Sequence, residues 1–423
     1  MRSSVLLAPE PRARGVKPHV EAMGYTARVD VKHLKEEICA AVDAMRDELL
    51  RVAQAIHAKP ELAFQEHEAA ALLVGLLREA GLEVSQGVYG LETAFAAEFG
   101  PEQGPCVALL AEYDALPGIG HACGHNLIAA SGVGAGLALA GLGERLSGRV
   151  RLLGTPAEEH GCGKELMARE GAFDGVDAAL MVHPSSLNMV TLPCIAMAEL
   201  EIIYHGRAAH AAAMPQRGVN ALDAMMIGYQ AIAALRQHIG GDERIHGIIT
   251  DGGQAPNIVP ERTAGHFYAR AANFEALEPL KRRVEACFRA GAEATACEIE
   301  VRWGKADYRD ILFNDPLAAA FRANAEALGR EFFPWEQLPA SIRGSSDMGN
   351  VSYRVPSIHP LLAASPLDVT IHNPEFEKWA SSEMGNAAAI DGAKALAMTA
   401  LDFFSDPDLR ERTRSIFEAQ RQA

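Results

Sequence analysis

The chain has 423 residues, of which 49% are hydrophobic and 22% are charged, values typical of a globular protein and not of a disordered chain. Its formal net charge of −16 disfavours nucleic acid and anionic membranes as partners, because their phosphates require a basic patch. Since a single hydrophobic core seldom grows beyond ~250 to 300 residues, the length predicts two domains.

Apolar runs in the sequence are too short for a targeting signal or a membrane span. Val5-Leu6-Leu7 is shorter than the apolar region of a signal peptide, and no stretch approaches the ~18 uninterrupted apolar residues of a membrane span. The seven cysteines are scattered and odd in number, which favours reduced thiols over a disulfide framework. We therefore expect a cytoplasmic protein without a membrane partner.

Helices and short strands are predicted for the first part of the chain. After an irregular lead-in over residues 1 to 30, apolar residues recur at helical spacing from Val31 until Pro60 stops the run. A second helix is predicted from Glu66 to Ala80, and Gly81 closes it. Short β-like runs then follow at Leu82 to Val84, Thr93 to Phe99 and Val107 to Leu110.

A small-residue helix is predicted from Leu127 to about Leu142. Its segment Gly132-Val133-Gly134-Ala135-Gly136 resembles part of a dinucleotide-binding fingerprint, but the glycines lie inside a helical run and not between a strand and a helix start. We interpret them as positions of close packing. Strands at Val150 to Leu153 and Ala178 to Val182 follow, and this strand, helix, strand order favours a parallel sheet.

An inserted α+β domain is predicted at residues 198 to 311, because the pattern changes to strands of alternating polarity together with two helices. The helices are expected at residues 221–238 and 277–296, and the strands at Leu200 to Tyr204, Gly247 to Thr250, Gly265 to Ala269 and Glu298 to Trp303. The catalytic domain would then consist of residues 1 to 197 and 312 to 423. Its second part is predicted to contain a helix at Pro316 to Leu328, a strand at Ser357 to Leu362 and a long helix at Glu375 to Phe403.

Residues able to bind metal follow several of the predicted strands. These residues are Cys123, His125, Glu158, Glu159, His183 and His372. Open α/β sheets place their sites at the carboxyl ends of the strands, so we expect these side chains to converge. Thiolate and imidazole are ligands of zinc-type ions, although a single histidine or glutamate is more often a surface residue than a ligand.

A hydrolytic metal site needs an open position for water and a carboxylate that accepts the proton of that water without binding metal. Glu158 and Glu159 are adjacent at a strand end and point in different directions, so one can bind metal while the other serves as the base. Two metal ions with a bridging water would also stabilise the oxyanion of a tetrahedral intermediate.

Eight motifs resemble, in the same order, those of the aminoacylase/carboxypeptidase-G-type metallopeptidases. The resemblance covers nearly the whole chain after residue 35 and is greatest to the amidohydrolase branch, which includes hippurate, indole-acetyl-amino-acid and aminobenzoyl-glutamate hydrolases. Each motif is weak alone, but eight in order are a specific signal. The motifs begin at His57, Asp114, His121, Pro156, Gly206, Pro256, Ser346 and His372.

The resemblance implies a role for each site residue. Its metal ligands would be Cys123, His125, Glu159, His183 and His372. They would hold one or two divalent ions (Zn, Mn or Co), with the cysteine between the ions in the two-metal pattern of the family. Glu158 would be the general base, and Asp114 would steady a ligand imidazole.

The resemblance also implies an architecture: an α/β, zinc-peptidase-like catalytic domain, with a mixed and mostly parallel sheet flanked by helices, and an inserted α+β lid and dimerisation domain. The protein would be a homodimer or a dimer-based oligomer. His210 would reach across the dimer to the substrate of the partner subunit, as a catalytic and substrate-binding residue, and Asn257 would help to hold that substrate.

The implied activity is hydrolysis of the amide C–N bond of a small-molecule carboxylate substrate, an N-acyl or N-aroyl amino acid or a dipeptide, by a metal-bridging hydroxide. One alternative is a hydrolytic deaminase that displaces an amino group from an activated aromatic carboxylic acid. Others are a catalytically silent binding protein and a cysteine hydrolase that uses Cys123 and His125. The chain departs from its relatives at Asn126 and over residues 160–164, where His160 or Cys162 could add or displace a metal ligand.

Overall fold

A computed structural model describes residues 30–338 and 343–422 of the chain. The irregular lead-in predicted for residues 1 to 30 lies, except for its last residue, outside the described residues. Within the described ranges the α-helices are α1 (Val31–Ala44), α2 (Arg46–Ala58), α3 (His67–Glu79), α4 (His125–Ala140), α5 (Gly163–Arg169), α6 (Ala221–Leu235), α7 (Phe274–Thr295), α8 (Asp315–Ala327), α9 (Met348–Ser352), α10 (Pro374–Trp379), α11 (Glu383–Ser405) and α12 (Pro407–Gln422). The strands are β1 (Val84–Gln86), β2 (Phe95–Phe99), β3 (Cys106–Ala111), β4 (Arg149–Gly154), β5 (Ala178–Leu180), β6 (His183–Ser185), β7 (Ala196–His205), β8 (Arg244–Asp251), β9 (Arg262–Ala271), β10 (Glu298–Trp303), β11 (Ser357–Ile358) and β12 (Leu361–Ala363).

The central sheet has the strand order β1–β2–β4–β3–β5–β11 among the described residues. β2 runs antiparallel to β1 and β4, whereas β3, β4, β5 and β11 run parallel to one another. Every residue of β3 is buried, as expected for a parallel strand with helices on both faces of its sheet. The mixed, mostly parallel sheet that the sequence predicted is confirmed, and β6 and β12 form a further parallel pair.

Helix α4 packs tightly beneath the site, and all of its residues except the last are buried. A Cβ atom on Gly132 would lie 2.6 Å from Leu110 O in β3, and one on Gly134 would lie 2.8 Å from the Leu49 side chain in α2. Only glycine allows such close approach of neighbouring elements. The interpretation of this glycine run as packing positions, and not as a dinucleotide fingerprint, is confirmed.

A second sheet, antiparallel in all its described pairings, has the strand order β10–β7–β9–β8. Together with α6 and α7 it forms its own hydrophobic core around Tyr204, Phe267 and Phe288. The predicted α+β part is therefore present, and its strands extend from Ala196 to Trp303. The domain boundaries at residues 198 and 311 remain a prediction.

Three predicted elements are divided in the structure. The helix expected from Val31 to Pro60 separates into α1 and α2 at Met45. The strand expected at Ser357 to Leu362 separates into β11 and β12, and the long C-terminal helix separates into α10 and α11. Ser382 Oγ accepts a hydrogen bond from Gly385 N (3.2 Å) at the start of α11, and Asn126 Nδ2 donates to Ala380 O (2.8 Å) just before it. These polar contacts end one helix and begin the next, although the apolar period of the sequence continues through this segment.

The sequence predicted none of α5, α9 and α12. The first two have seven and five residues, too few to show an apolar period. Helix α12 is rich in charged residues and buries Leu409, Thr413 and Phe417. In the described part of the chain, no helix is both long enough and apolar enough to cross a membrane.

Candidate active site

Six residues from the ends of different elements lie together at one edge of the central sheet. Cys123 and His125 follow β3, Glu158 and Glu159 follow β4, His183 opens β6, and His372 lies before α10. Their ligand atoms form three overlapping groups, each within 4.8 Å: Cys123 with His125 and His183, Cys123 with Glu159 and His372, and His125 with Glu158 and Glu159. The structure thus brings the six candidate residues into one cluster.

Gly124 sets the spacing between the first two candidate ligands. Its φ of +78° lies in the left-handed region that glycine adopts readily, and it precedes the first residue of α4. A Cβ atom at this position would lie 2.5 Å from Pro184 Cγ. The absence of a side chain therefore lets the His183-Pro184 segment approach the Cys123 loop.

His125 is buried, and the Asp114 carboxylate contacts one nitrogen of its ring. Asp114 Oδ1 contacts its Nδ1 at 2.9 Å, and Asp114 Oδ2 accepts a hydrogen bond from Glu159 N at 2.9 Å. His125 Nε2 faces the carboxylates of Glu158 and Glu159 at 3.9 and 3.8 Å. A carboxylate on one ring nitrogen orients the other nitrogen toward the centre of the cluster, which is the contact that the resemblance implied for Asp114.

His183 and His372 belong to different groups of the cluster. His183 Nδ1 donates to Pro184 O (2.7 Å), so the lone pair of Nε2 faces Cys123 Sγ at 3.4 Å. Burial lowers the pKa of His183 to about 4, which keeps the imidazole in the neutral form that binds metal. His372 Nε2 lies 3.3 Å from Glu159 Oε1, and His372 N donates to Ala122 O at 2.8 Å.

Glu158 and Glu159 differ in their electrostatic surroundings although they are adjacent. Burial raises the pKa of Glu158 well above its usual value, and neighbouring carboxylates raise it further. Burial also acts to raise the pKa of Glu159, but the imidazoles of His372 and His125 outweigh it and hold this pKa at about 2. Glu159 is therefore the ionised member of the pair, and Glu158 takes up a proton more readily.

The donor set fits divalent metal ions. Among the described residues, Glu112 Oε2 and His125 Nε2 are buried without a hydrogen-bond partner, and they face each other across 3.5 Å. Leaving a buried polar atom unpaired costs about 1–3 kcal/mol, and a metal ion bound to His125 Nε2 would remove this cost at the imidazole. Thiolate, imidazole and carboxylate together suit ions of the zinc and manganese type.

The cluster borders a cavity of about 810 Å³. Arg244, Arg270 and Arg343 also line this cavity. Arg270, on β9 of the second sheet, is held by contacts from Nη1 to Ser345 Oγ (2.9 Å) and from Nε to His246 Nε2 (3.2 Å). Acidic, imidazole and guanidinium groups thus line one space that can hold a small anionic molecule.

A comparison with protein families identifies this arrangement. A family model for peptidase family M20/M25/M40 matches residues 108–392, which include all six residues of the cluster. The chain belongs to peptidase family M20/M25/M40. It is therefore a hydrolase, and the alternative of a catalytically silent binding protein is set aside.

Individual M20-family relatives match over most of their length. The chain is 39% identical over 412 residues to an Xaa-Arg dipeptidase of Mus musculus, covering 94% of this chain and 95% of the relative. It is 27% identical to a p-aminobenzoyl-glutamate hydrolase polypeptide of Escherichia coli (strain K12), covering 87% and 92%. In structure it is similar to a dinuclear metal-binding M20 peptidase of Bacillus subtilis, with a TM-score of 0.60, 22% identity and coverage of 85% and 99%. This last similarity shows the fold.

His210 and Asn257 lie apart from the cluster of this M20-family chain. In the described part of the chain neither residue lines the cavity, and both are exposed. They are neighbours, because Ala211 N donates to Asn257 O at 3.0 Å. His210 Nδ1 accepts hydrogen bonds from Ala212 N (3.3 Å) and Ala213 N (3.1 Å), which leaves Nε2–H as a donor. Their action across a dimer remains a prediction.

His160 and Cys162 do not belong to any of the close groups of ligand atoms found in the described ranges. Cys162 is buried, and its Sγ contacts Asn350 Oδ1 at 3.6 Å. The departures of this segment from the family pattern thus do not bring His160 or Cys162 into the cluster.

Sequence reasoning assigned no role to Glu112, Lys164 and Asp347, which are fully buried beside the cluster. Glu112 directly follows β3 and could have been recognised as a further carboxylate at a strand end. The contact of Lys164 with the other two has no signal in local spacing, because Lys164 lies 52 residues from Glu112 and 183 residues from Asp347.

Proposed function

We propose that the chain is a metal-dependent amidohydrolase that cleaves the amide bond of a dipeptide, or of a small N-acyl amino acid, bearing a free carboxylate. The observation that carries this proposal is the buried donor set with unpartnered atoms beside a cavity lined by arginines. The similarity to an Xaa-Arg dipeptidase over nearly the full length of both chains supports a dipeptide as the first candidate.

The metal ions would be held by Cys123, His125, Glu159, His183 and His372, and we propose Zn, Mn or Co as their identity. When bound, such ions supply Lewis acidity toward a carbonyl oxygen. Asp114 orients His125 for this purpose, and Gly124 allows Cys123 and His183 to meet.

Glu158 is proposed as the general base. It borders the cavity, it is adjacent to Glu159 in the chain, and its surroundings favour uptake of a proton. A carboxylate so placed takes a proton from the attacking water and passes it to the departing amine. General acid–base catalysis of this kind contributes typically ~10²–10⁴-fold to the rate.

The arginines that line the cavity are proposed to bind the substrate carboxylate. Arg270 is the best placed, because its contacts with Ser345 and His246 fix its direction. A fixed guanidinium is an efficient partner for a carboxylate, since little side-chain entropy is lost on binding.

A homodimer is proposed to complete the site through His210 and Asn257. β8 is an edge strand of the second sheet, and its Ile248 is 64% exposed. Helix α6 exposes Met226 and Ile227 as well. Exposed apolar residues on an edge strand and a helix are typical of a surface that pairs with a second copy.

The test is product analysis with defined metal content. The protein is stripped with a chelator, reloaded with Zn, Mn or Co, and assayed with Xaa-Arg dipeptides, p-aminobenzoyl-glutamate and N-acetylcysteine. We expect a free amino acid as product, with activity lost in the stripped protein and restored on reloading. The deaminase alternative would instead be supported if an aromatic amine substrate releases ammonia and no free amino acid is formed.

The cysteine hydrolase is tested by the same preparation. Burial raises the pKa of Cys123 well above its usual value, and the Glu159 carboxylate raises it further, so the thiol is not activated as a nucleophile. Activity that survives the chelator and is abolished by an alkylating agent would contradict the proposed metal mechanism.

A further inference from the structure

A fully buried ammonium group lies directly behind the proposed base. Lys164, in α5, contacts Glu112 and Asp347 through Nζ, and the Nζ distance to Asp347 Oδ1 is 2.6 Å. Its backbone N also donates to Asp347 Oδ2 at 2.9 Å. Asp347 therefore fixes both ends of this lysine, and the three side chains join α5 to the end of β3 and to the start of α9.

The surroundings of Lys164 contain an excess of negative charge. Oxygen atoms of Glu112, Glu158 and Asp347 lie within 4.8 Å of one another, and all three residues are buried. Three carboxylates in such a space repel one another strongly and need a cation. Carboxylate oxygens are also the ligands that Mn²⁺ and Mg²⁺ prefer, so the group has the composition of a divalent metal site.

The ammonium group remains charged in this position. Burial alone would lower the pKa of Lys164, but the carboxylates of Asp347, Glu112 and Glu158 raise it above its usual value. The resident cation of the group is therefore part of the protein.

We propose that Lys164 is a positioning residue whose ammonium group takes the place of a metal ion among Glu112, Glu158 and Asp347, and so confines divalent ions to the neighbouring set that contains Cys123 and His183. This inference rests on the metal dependence proposed above. It explains why one carboxylate-rich group and one thiolate- and imidazole-containing group can lie side by side without sharing ions.

Glu112 stands at the border between the two groups. One of its oxygens contacts Lys164, while the other, Oε2, has no hydrogen-bond partner and lies 3.5 Å from His125 Nε2. Lys164 thus keeps Glu112 in a fixed orientation beside the site. Loss of the ammonium group would free Glu112 to bind an ion together with Glu158 and Asp347.

The experiment compares Lys164→Met with the parent protein. Both are stripped, dialysed against Mn²⁺ and analysed for metal per chain, and their thermal unfolding is followed with and without Mn²⁺. We expect the variant to bind about one Mn²⁺ more per chain than the parent, because a neutral side chain leaves three carboxylates without a cation. We also expect Mn²⁺ to raise its unfolding temperature more than that of the parent.

The matched control is the double variant Lys164→Met/Asp347→Asn. The asparagine keeps an acceptor for the Lys164-position amide but removes one of the three anionic ligands, so the additional Mn²⁺ should be lost. Equal metal content in the parent and in a folded Lys164→Met variant would overturn the proposal. If the single variant is recovered folded only when Mn²⁺ is supplied, the proposal is supported; if Mn²⁺ does not restore folding, it is overturned.

The two proposals fail in distinguishable ways. A parent protein that binds no divalent ion would contradict the proposed function. A parent that binds metal normally, beside a Lys164→Met variant that gains none, would contradict only the role of Lys164.

Discussion

Glu158 and Glu159 have different neighbours, which are distant from them in the chain. His372 reaches Glu159 from the other end of the sequence, whereas Glu158 lies toward Glu112 and Asp347. We expect Glu158→Gln to retain bound metal, because no proposed ligand is removed, and to lower kcat by at least ~10²–10⁴-fold, because the proton acceptor is lost. Elemental analysis beside steady-state kinetics checks both parts. Near-normal turnover would remove Glu158 from the role of base.

The proposed ligands should be separable from other buried residues by metal content. Cys123→Ala and His183→Ala are each expected to lower metal affinity, since each removes a ligand from the cluster. Cys106→Ala is the matched control: Cys106 is also buried, but it lies at the opposite end of β3. Wild-type metal stoichiometry in both ligand variants would return Cys123 and His183 to a structural role.

Glu66 should give the stability a measurable pH dependence. Burial, with the nearby Asp114 carboxylate, raises its pKa from 4.5 to about 7. The folded chain then holds a proton between pH 4.5 and 7 that the unfolded chain releases, so this contribution to stability is lost as pH rises through 7. As the pH rises from 5 to 8, the free energy of unfolding of Glu66→Gln should increase by up to about 3 kcal/mol relative to that of the parent. The free energy of unfolding of both proteins is measured by denaturant titration at several pH values. The same pH dependence in both proteins would contradict this prediction.

At the scale of single residues, the sequence identified members of the cluster where they lie at the end of a strand. Cys123, Glu159 and His183 could be placed because the carboxyl ends of parallel strands converge. Lys164 could not, since its partners Glu112 and Asp347 meet it only through the tertiary fold.

Glycines in helix α4 allow this helix to pack closely against neighbouring elements. We expect Gly132→Ala to lower the free energy of unfolding by about 1–3 kcal/mol, because its Cβ would lie 2.6 Å from Leu110 O. Gly75 in α3 is the matched control, since nothing lies within 4 Å of a Cβ there. Gly75→Ala should stabilise the protein by roughly 0.5–1 kcal/mol. Equal effects of the two substitutions in denaturant unfolding would contradict the packing role of Gly132.

Periodicity predicted most elements of the chain but not their interruptions. The apolar pattern continues through Met45 and through Ala380, yet the helices end there. At Ala380 the interruption depends on Asn126, whose side chain donates to Ala380 O from 254 residues away. A pattern read along one segment contains no information on such a partner.

At the scale of the whole molecule, one prediction concerns the proposed action of His210 in the site of the partner subunit. His210→Ala should lower kcat while leaving metal content and dimerisation unchanged, because its free Nε2–H would otherwise stabilise developing charge on the partner's substrate. Metal content, oligomeric state and kinetics of the same preparation check this expectation.

Subunit exchange between two inactive variants is the control for this prediction. Homodimers of Glu158→Gln and of His210→Ala should each be inactive, whereas a heterodimer combines one intact base with one intact His210. Random pairing with independent sites should restore about a quarter of wild-type activity. No recovery after verified subunit exchange would place His210 in its own subunit's site or outside catalysis.

The pairing of β11 with β5 also limits how early the central sheet can be completed during synthesis. Ser357 aligns with Ala179, so one edge of β5 stays uncovered until nearly the whole chain has left the ribosome. The strands of the second sheet, in contrast, lie between Ala196 and Trp303 and can pair much earlier. A nascent chain therefore presents the second sheet before the central one is complete. Because His372 emerges later still, the proposed metal ligands can come together only in a nearly finished chain.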